Sequence, residues 1–178
     1  DILYDPDFLN AIIVTLTYGG AALALQIPLG FAIALLLNRK IRGKRFFITL
    51  TLIPAVLAGS ITGVVMRWMF HYNYGLVNYF IGLLGIEKIA WLMDPATGLW
   101  AIILTDVWSM TPLCALMFYA GLRSLPQAPI EAAKMDGASR RQIIGHIVLP
   151  MMRPLILFIL IIRTMDALRV WDFVMVMT

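Results

Sequence analysis

Apolar and polar positions along the chain separate into long runs and short breaks. Residues 8 to 38 contain no Asp, Glu, Lys or Arg, and residues 46 to 66 contain none either. A helix needs about 20 apolar residues to cross a hydrocarbon core, so each run is long enough to span. With two further runs, the pattern predicts four spanning helices at about 10–37, 46–69, 98–121 and 154–177. The stretch HYNYGLVNYFIGLLGIEKIAWLMDPATG is too polar and too interrupted by glycine to span. Its segment 76–84 predicts a short helix lying at the interface, with Tyr72, Tyr74, Tyr79 and Trp91 as aromatic anchors or plain packing residues. Gly19, Gly20, Pro28, Pro54, Gly59, Gly63 and Pro112 fall inside the spans, which fits kinked or closely approaching helices.

Composition agrees with a membrane protein. The chain is 61% apolar and 13% charged, against about 45–50% and about 25% in soluble proteins. The expected fold is all-α, a polytopic transmembrane bundle of about four spans forming one membrane domain over 1–178. The acidic residues Asp1, Asp5 and Asp7 precede the first run where a signal peptide has a basic region, so that run is expected to stay in the membrane. Ten of the 14 basic residues cluster in two loops, 38–45 and 122–153. That distribution is a topology signal and no footprint for nucleic acid; it puts both loops in the cytoplasm. Cys114 is the single cysteine, and His71 and His146 fall on opposite sides in this topology, so neither a disulfide nor a metal site is expected.

The second loop carries EAAKMDGASRRQIIGHIVLP at residues 131–150. Ser124 and Gln127 are candidate caps for a first helix running through Glu131, Ala132 and Ala133 to Asp136. Gly137 is placed to break it, since glycine enters the left-handed region without strain. Ser139 with Gln142 makes a capping box for a second helix with Ile143, Ile144, Ile147 and Val148 on one face, and Pro150 is expected to stop it. Small Ala132, Ala133 and Ala138 allow close approach of another surface, and Glu131 offers a carboxylate to a partner's cation. The same segment also reads as a basic amphipathic helix resting on anionic headgroups through Arg140, Arg141 and His146.

This stretch resembles the EAA loop of permease subunits of ATP-binding-cassette importers: E-A-A, three residues, G, nine residues, then I-x-L-P. Glu131, Ala132, Ala133, Gly137, Ile147, Leu149 and Pro150 occupy all seven fixed positions. NRKIRGKRFF, WMFHYNYGLVN, DVWSMTPLCALMFYAGLRSLP and RTMDALRVWDFVMVMT are similar to the carbohydrate-uptake subgroup, of the maltose F or glycerol-3-phosphate A type. The resemblance implies a MetI-like permease fold in a bacterial inner membrane. It also implies a second permease subunit of the maltose G or glycerol-3-phosphate E type, two cytoplasmic ATPase subunits, an extracytoplasmic solute-binding protein and a sugar-like substrate. ATP and Mg then belong to the ATPase, and this chain binds no cofactor. In that scheme the loop seats in a cleft of the ATPase: Glu131 pairs with a base there, Gly137 is the elbow, and the apolar residues after it fill the cleft. Family members carry further helices before and after the matched region, so the chain reads as a fragment.

Arg163 lies roughly 14 Å and Asp166 roughly 18 Å into a core of about 30 Å, counted from Pro154 at about 1.5 Å per residue. A charge at such depth needs a partner or a cavity. Arg163 and Asp166 are spaced to pair on one helix, while Asp106 is placed to meet Arg163 or Arg169 across helices. Structural pairing, lining of a solute path and gating all remain open, with Trp108, Tyr119 and Trp171 as further path candidates. No G-x-x-x-x-G-K-[ST] occurs, so the chain has no phosphate cradle of its own. An intramembrane aspartyl protease using Asp106 and Asp166 lacks the Gly-x-Gly-Asp element. An ion-coupled carrier or channel is the remaining rival, and it leaves residues 131–150 without a purpose.

Overall fold

Helix α1 (Pro6–Leu37) begins where Asp5 accepts a hydrogen bond from the Asp7 amide at 3.0 Å and Pro6 supplies a preset φ. Its buried residues Tyr18, Ala22, Gln26, Gly30 and Ala34 recur every fourth position, a single stripe on one face. That stripe lies on α5 (Pro95–Ser124), which is capped in the same way by Asp94 on the Ala96 amide at 3.0 Å. At Gly30 the two backbones come so close that an added Cβ would stand 2.9 Å from Cys114 Cβ. One turn on, Phe31 and Phe118 pack edge to face with centroids 5.6 Å apart. In the apolar windows of the two helices 61% of α5 residues are buried but only 28% of α1 residues, so α5 is the central element.

The computed structural model describes residues 5–39, 42–169, 172 and 174–177, and the described residues are helical or irregular, with no strand. After α1 come α2 (Lys44–Val56), α3 (Gly59–Met69), α4 (Leu76–Leu83) and α5. Next are α6 (Ala128–Met135), α7 (Arg140–Ile143), a π-helical turn at Ile144–Val148, α8 (Leu149–Met151), α9 (Arg153–Leu168) and α10 (Val174–Met177). Helices α1 and α5 are each long and apolar enough to cross a membrane, and two bent helix pairs raise the number to as many as four.

Those bends correct the expectation of one continuous helix in each of the second and fourth spans. The segment 46–69 is two helices meeting at 97°. Leu57 and Ala58 are extended at the joint, and Pro54 withholds the amide that would bond the Leu50 carbonyl, weakening the last turn of α2. The fourth expected span ends at Leu168, with α10 a separate turn packed on α3, where Arg67 donates to the Val176 carbonyl at 3.1 Å. Pro150 does not stop the helix before it. The chain stays helical through Met151 and bends by 65° at Met152. A π turn precedes the proline, the Leu149 amide reaching back to the Ile144 carbonyl, which widens the backbone just where the Pro150 ring would crowd an α-helical turn.

Three apolar clusters stack along the bundle. One joins Ala34 of α1 and Phe118 of α5 to Ile143, Val148, Met152 and Ile159. A second holds Tyr18, Ala22, Ile103, Val107 and Ala167, and a third holds Met66, Phe70, Ala101 and Met177. The expected short helix is α4. Of the expected anchors, Tyr72, Tyr74 and Tyr79 are exposed, but the Trp91 indole packs on the third cluster and donates to Asn78 at 3.1 Å. Asn78 also bonds the carbonyls of Tyr72 and Ile89 and the Ile89 amide, closing the irregular stretch on itself.

Candidate functional site

Between the first two apolar clusters lies a polar layer built from three helices. Gln26 stands between Ala22 and Gly30 on α1, Asp106 follows Ile103 on α5, and Arg163 stands between Ile159 and Ala167 on α9. The Arg163 guanidinium donates through Nη2 to both Asp106 oxygens at 3.1 Å, through Nε to Gln26 Oε1 at 3.1 Å, and through Nη1 to Asp166 Oδ2 at 3.1 Å. Gln26 Nε2 completes the ring by donating to Asp106 Oδ2 at 2.8 Å. The side chains of Arg163 and Asp106 are 3% and 4% exposed, whereas that of Asp166 is 51% exposed. A buried ion pair survives desolvation only with such additional hydrogen bonds, and both ends of the Gln26 amide supply them.

This arrangement joins the two sequence-level alternatives for Arg163, since it pairs with Asp166 along its helix and with Asp106 across helices at once. Asp106 meets Arg163 and not Arg169, which is exposed at the end of α9. Trp108 is 38% exposed and stands off the layer. Tyr119 lies thirteen residues further along α5, about 20 Å away along the axis, and joins the basic end of the helix. Trp171 lies outside the described residues. Gln26 was missed by sequence reasoning; its signal was a lone amide in the four-residue register of Tyr18, Ala22 and Gly30.

At one end of the bundle, Leu125 takes the extended conformation that precedes a proline, and α6 follows. Glu131, Ala132 and Ala133 lie in α6 and Asp136 is its last half-turn. Gly137 has φ 79°, its amide bonding the Lys134 carbonyl at 3.1 Å while the Ala138 amide bonds the Ala133 carbonyl at 2.9 Å. This crossed pair closes the helix end and requires the left-handed glycine. The Ser139 and Gln142 capping box forms in full. Neither expected cap of α6 is made: Ser124 Oγ donates to the Gly121 carbonyl behind it, and Gln127 donates to Leu125.

Exposure divides the loop differently from the expected scheme. Glu131 and Ala132 are exposed, and no bond of the Glu131 carboxylate is made among the described residues. Ala133 and Ala138, expected to face another surface, are half-buried against the chain's own core. Ile143 and Val148 fill that same core, and Ile147 and Pro150 are half-buried, so the second helix turns its apolar face inward to cover the ends of α1 and α5. Leu149 keeps 36% exposure. The outward apolar group is Met135, 88% exposed beside the elbow; sequence reasoning passed over it because one apolar residue within a polar stretch carries no periodic signal.

The family described as binding-protein-dependent transport system inner membrane component matches residues 26–173, which include both the polar layer and the loop. The chain is 36% identical over 177 residues to the trehalose/maltose transport system permease protein MalF of Thermococcus litoralis, covering 99% of this chain and 60% of that protein. It is 37% identical over 169 residues to the sulfoquinovosyl glycerol transport system permease protein SmoG of Agrobacterium fabrum, covering 95% and 54%. The chain thus spans little more than half the length of these relatives. Among solved structures, a bacterial ABC transporter involved in the import of the acidic polysaccharide alginate superposes with TM-score 0.82 at 26% identity, over 95% of this chain and 60% of that one. By the extent of the family match, and by a shared fold in which the elbow and the polar layer both fall, this chain belongs to the binding-protein-dependent transport system inner membrane components.

Proposed function

We propose that the chain is part of a permease subunit of an ATP-binding-cassette importer, forming half of the path for a sugar or sugar-like solute. A second permease subunit supplies the other half, an extracytoplasmic binding protein delivers the solute, and two separate ATPase subunits hydrolyse ATP. Loops 38–45 and 122–153 face the cytoplasm in this reading, on the strength of their basic residues. The relatives' names support the solute class, with trehalose or maltose, sulfoquinovosyl glycerol and alginate among their cargoes. An alginate transporter in complex with a periplasmic protein carrying an alginate pentasaccharide supports the delivery partner.

The observation that carries the reading is the helix, elbow and helix at 128–148, with Glu131 and Met135 outward and the second helix fastened to the core. In this reading Glu131 pairs with a cation of the ATPase and Met135 enters its cleft. The inward apolar face carries the push from there to α1, α5 and α9. The test is uptake and ATP hydrolysis in vesicles holding the complete complex. Gly137→Pro cannot keep φ 79°, because proline is held near −65°. With it, or with Glu131→Ala, the complex is expected to assemble while hydrolysis stops responding to loaded binding protein. Uptake that continues unchanged and without ATP would overturn the proposal.

A further inference from the structure

The other basic loop forms a recess of about 840 Å³ between the end of α1, the start of α2 and the end of α5. Among the described residues, Arg39, Arg42, Lys44, Arg45 and Arg123 line it and no carboxylate does. Among the described residues none of these five cations forms an ion pair, the two pairs found both belonging to Arg163. The floor is Tyr119, 9% exposed, with Lys44 Nζ 4.5 Å from its ring centroid and Arg123 Nη1 donating to its hydroxyl oxygen at 3.5 Å. The hydroxyl hydrogen has no acceptor among the described residues, so the phenol brings one unused donor to a group of cations.

Helix α2 adds a second oddity. Its first turn carries Lys44 and Arg45 and no acid, and its N-cap Gly43 makes no side-chain cap. Free amides and the positive end of a helix favour carboxylate or phosphate, so two cations there repel the dipole unless an anion sits among them. Beyond the recess the same helix exposes Phe46 at 67%, Phe47 at 46% and Leu50 at 52%. A cationic recess running into an exposed apolar face fits an amphiphile better than a soluble anion.

We propose that the recess lined by Arg42, Lys44, Arg45, Arg123 and Tyr119 binds the phosphate headgroup of an anionic phospholipid, whose acyl chains lie along Phe46, Phe47 and Leu50. The leaflet rests on the membrane orientation proposed above, with the headgroup on the cytoplasmic side, where anionic lipid meets basic residues. The test uses the full-length permease in its complete complex, in nanodiscs of equal parts phosphatidylglycerol and phosphatidylcholine. Lipids retained after extraction are counted by native mass spectrometry. Arg42→Gln with Arg45→Gln is expected to lower the preference for phosphatidylglycerol by about fivefold per charge, roughly 25-fold for the pair. Lys134→Gln with Arg153→Gln removes the same charge from the other loop, at residues that do not line the recess, and should leave the preference unchanged. Tyr119→Phe keeps every charge, removes the hydroxyl that offers the donor and accepts from Arg123, and should lower the preference about fivefold.

Equal losses from both double variants would reduce the effect to diffuse surface charge and overturn the site. So would inorganic phosphate that displaces phosphatidylglycerol as readily as added phosphatidylglycerol does, since the recess would then take a free anion. The complex mass in the same spectra separates loss of binding from loss of assembly. Lipid preference needs no transport, so failed uptake with intact preference would count against the importer reading alone.

Discussion

Arg163 has four hydrogen bonds to three residues on three helices, and its side chain is 3% exposed. Truncation therefore leaves Asp106 as a charge without a counterion in an apolar bundle. Arg163→Met is expected to lower stability by about 3–5 kcal/mol, read by titration with a denaturing detergent. Adding Asp106→Leu should recover much of that loss, because the pair replaced together leaves no charge stranded. Two equal and additive losses would show that the residues act independently. The charged members of this layer were legible in the sequence, where membrane depth alone demanded partners for them. Gln26 was not, because a single neutral amide is tolerated within an apolar run and only the helix register reveals its direction.

Among the elements, the contact of α1 with α5 depends on one missing side chain. Gly30→Val would push a branched group into Cys114 and the Ala115 backbone, and such overpacking costs about 1–3 kcal/mol. The expected signs are lower thermal stability and a longer distance between spin labels on the two helices. In the loop, Ser139→Ala removes the cap of α7 and should cost about 1 kcal/mol, seen as faster amide exchange over 140–143. The elbow and the capping box were readable because Gly137, Ser139 and Gln142 act over three or four residues of local sequence. At the joint of Leu57 and Ala58, the flanking Pro54 and Gly59 signalled a kink but not its 97° angle, since the two joint residues have no turn chemistry of their own. The direction of Ile143 and Val148 also escaped local reasoning, because an apolar helix face fits a partner's cleft or the chain's own core equally well.

For the whole molecule, the single cysteine offers a clean test of orientation. Cys114 is buried and should not react with a membrane-impermeant maleimide. Asn73→Cys and Ser139→Cys are both at exposed positions. In sealed cells the first is expected to label directly and the second only after permeabilisation; the reverse pattern would invert the proposed topology. The first two apolar segments were legible because charge-free runs register by length alone. Their straightness was not, because bends come from single prolines and from packing against neighbours far along the chain.

The 65° joint at Met152 gives α9 the geometry of a crank. Arg163 sits ten residues beyond the first residue of the helix, about 15 Å out along its axis. A turn of about 10° at the joint sweeps the backbone there by about 2.6 Å, while the bonds holding Arg163 to α1 and α5 are all 3.1 Å long. Hydrogen bonds do not survive stretching of that size. Any rocking of α9 therefore has two outcomes and few between: the three helices swing as one rigid block, or the layer snaps and the bundle parts at its middle.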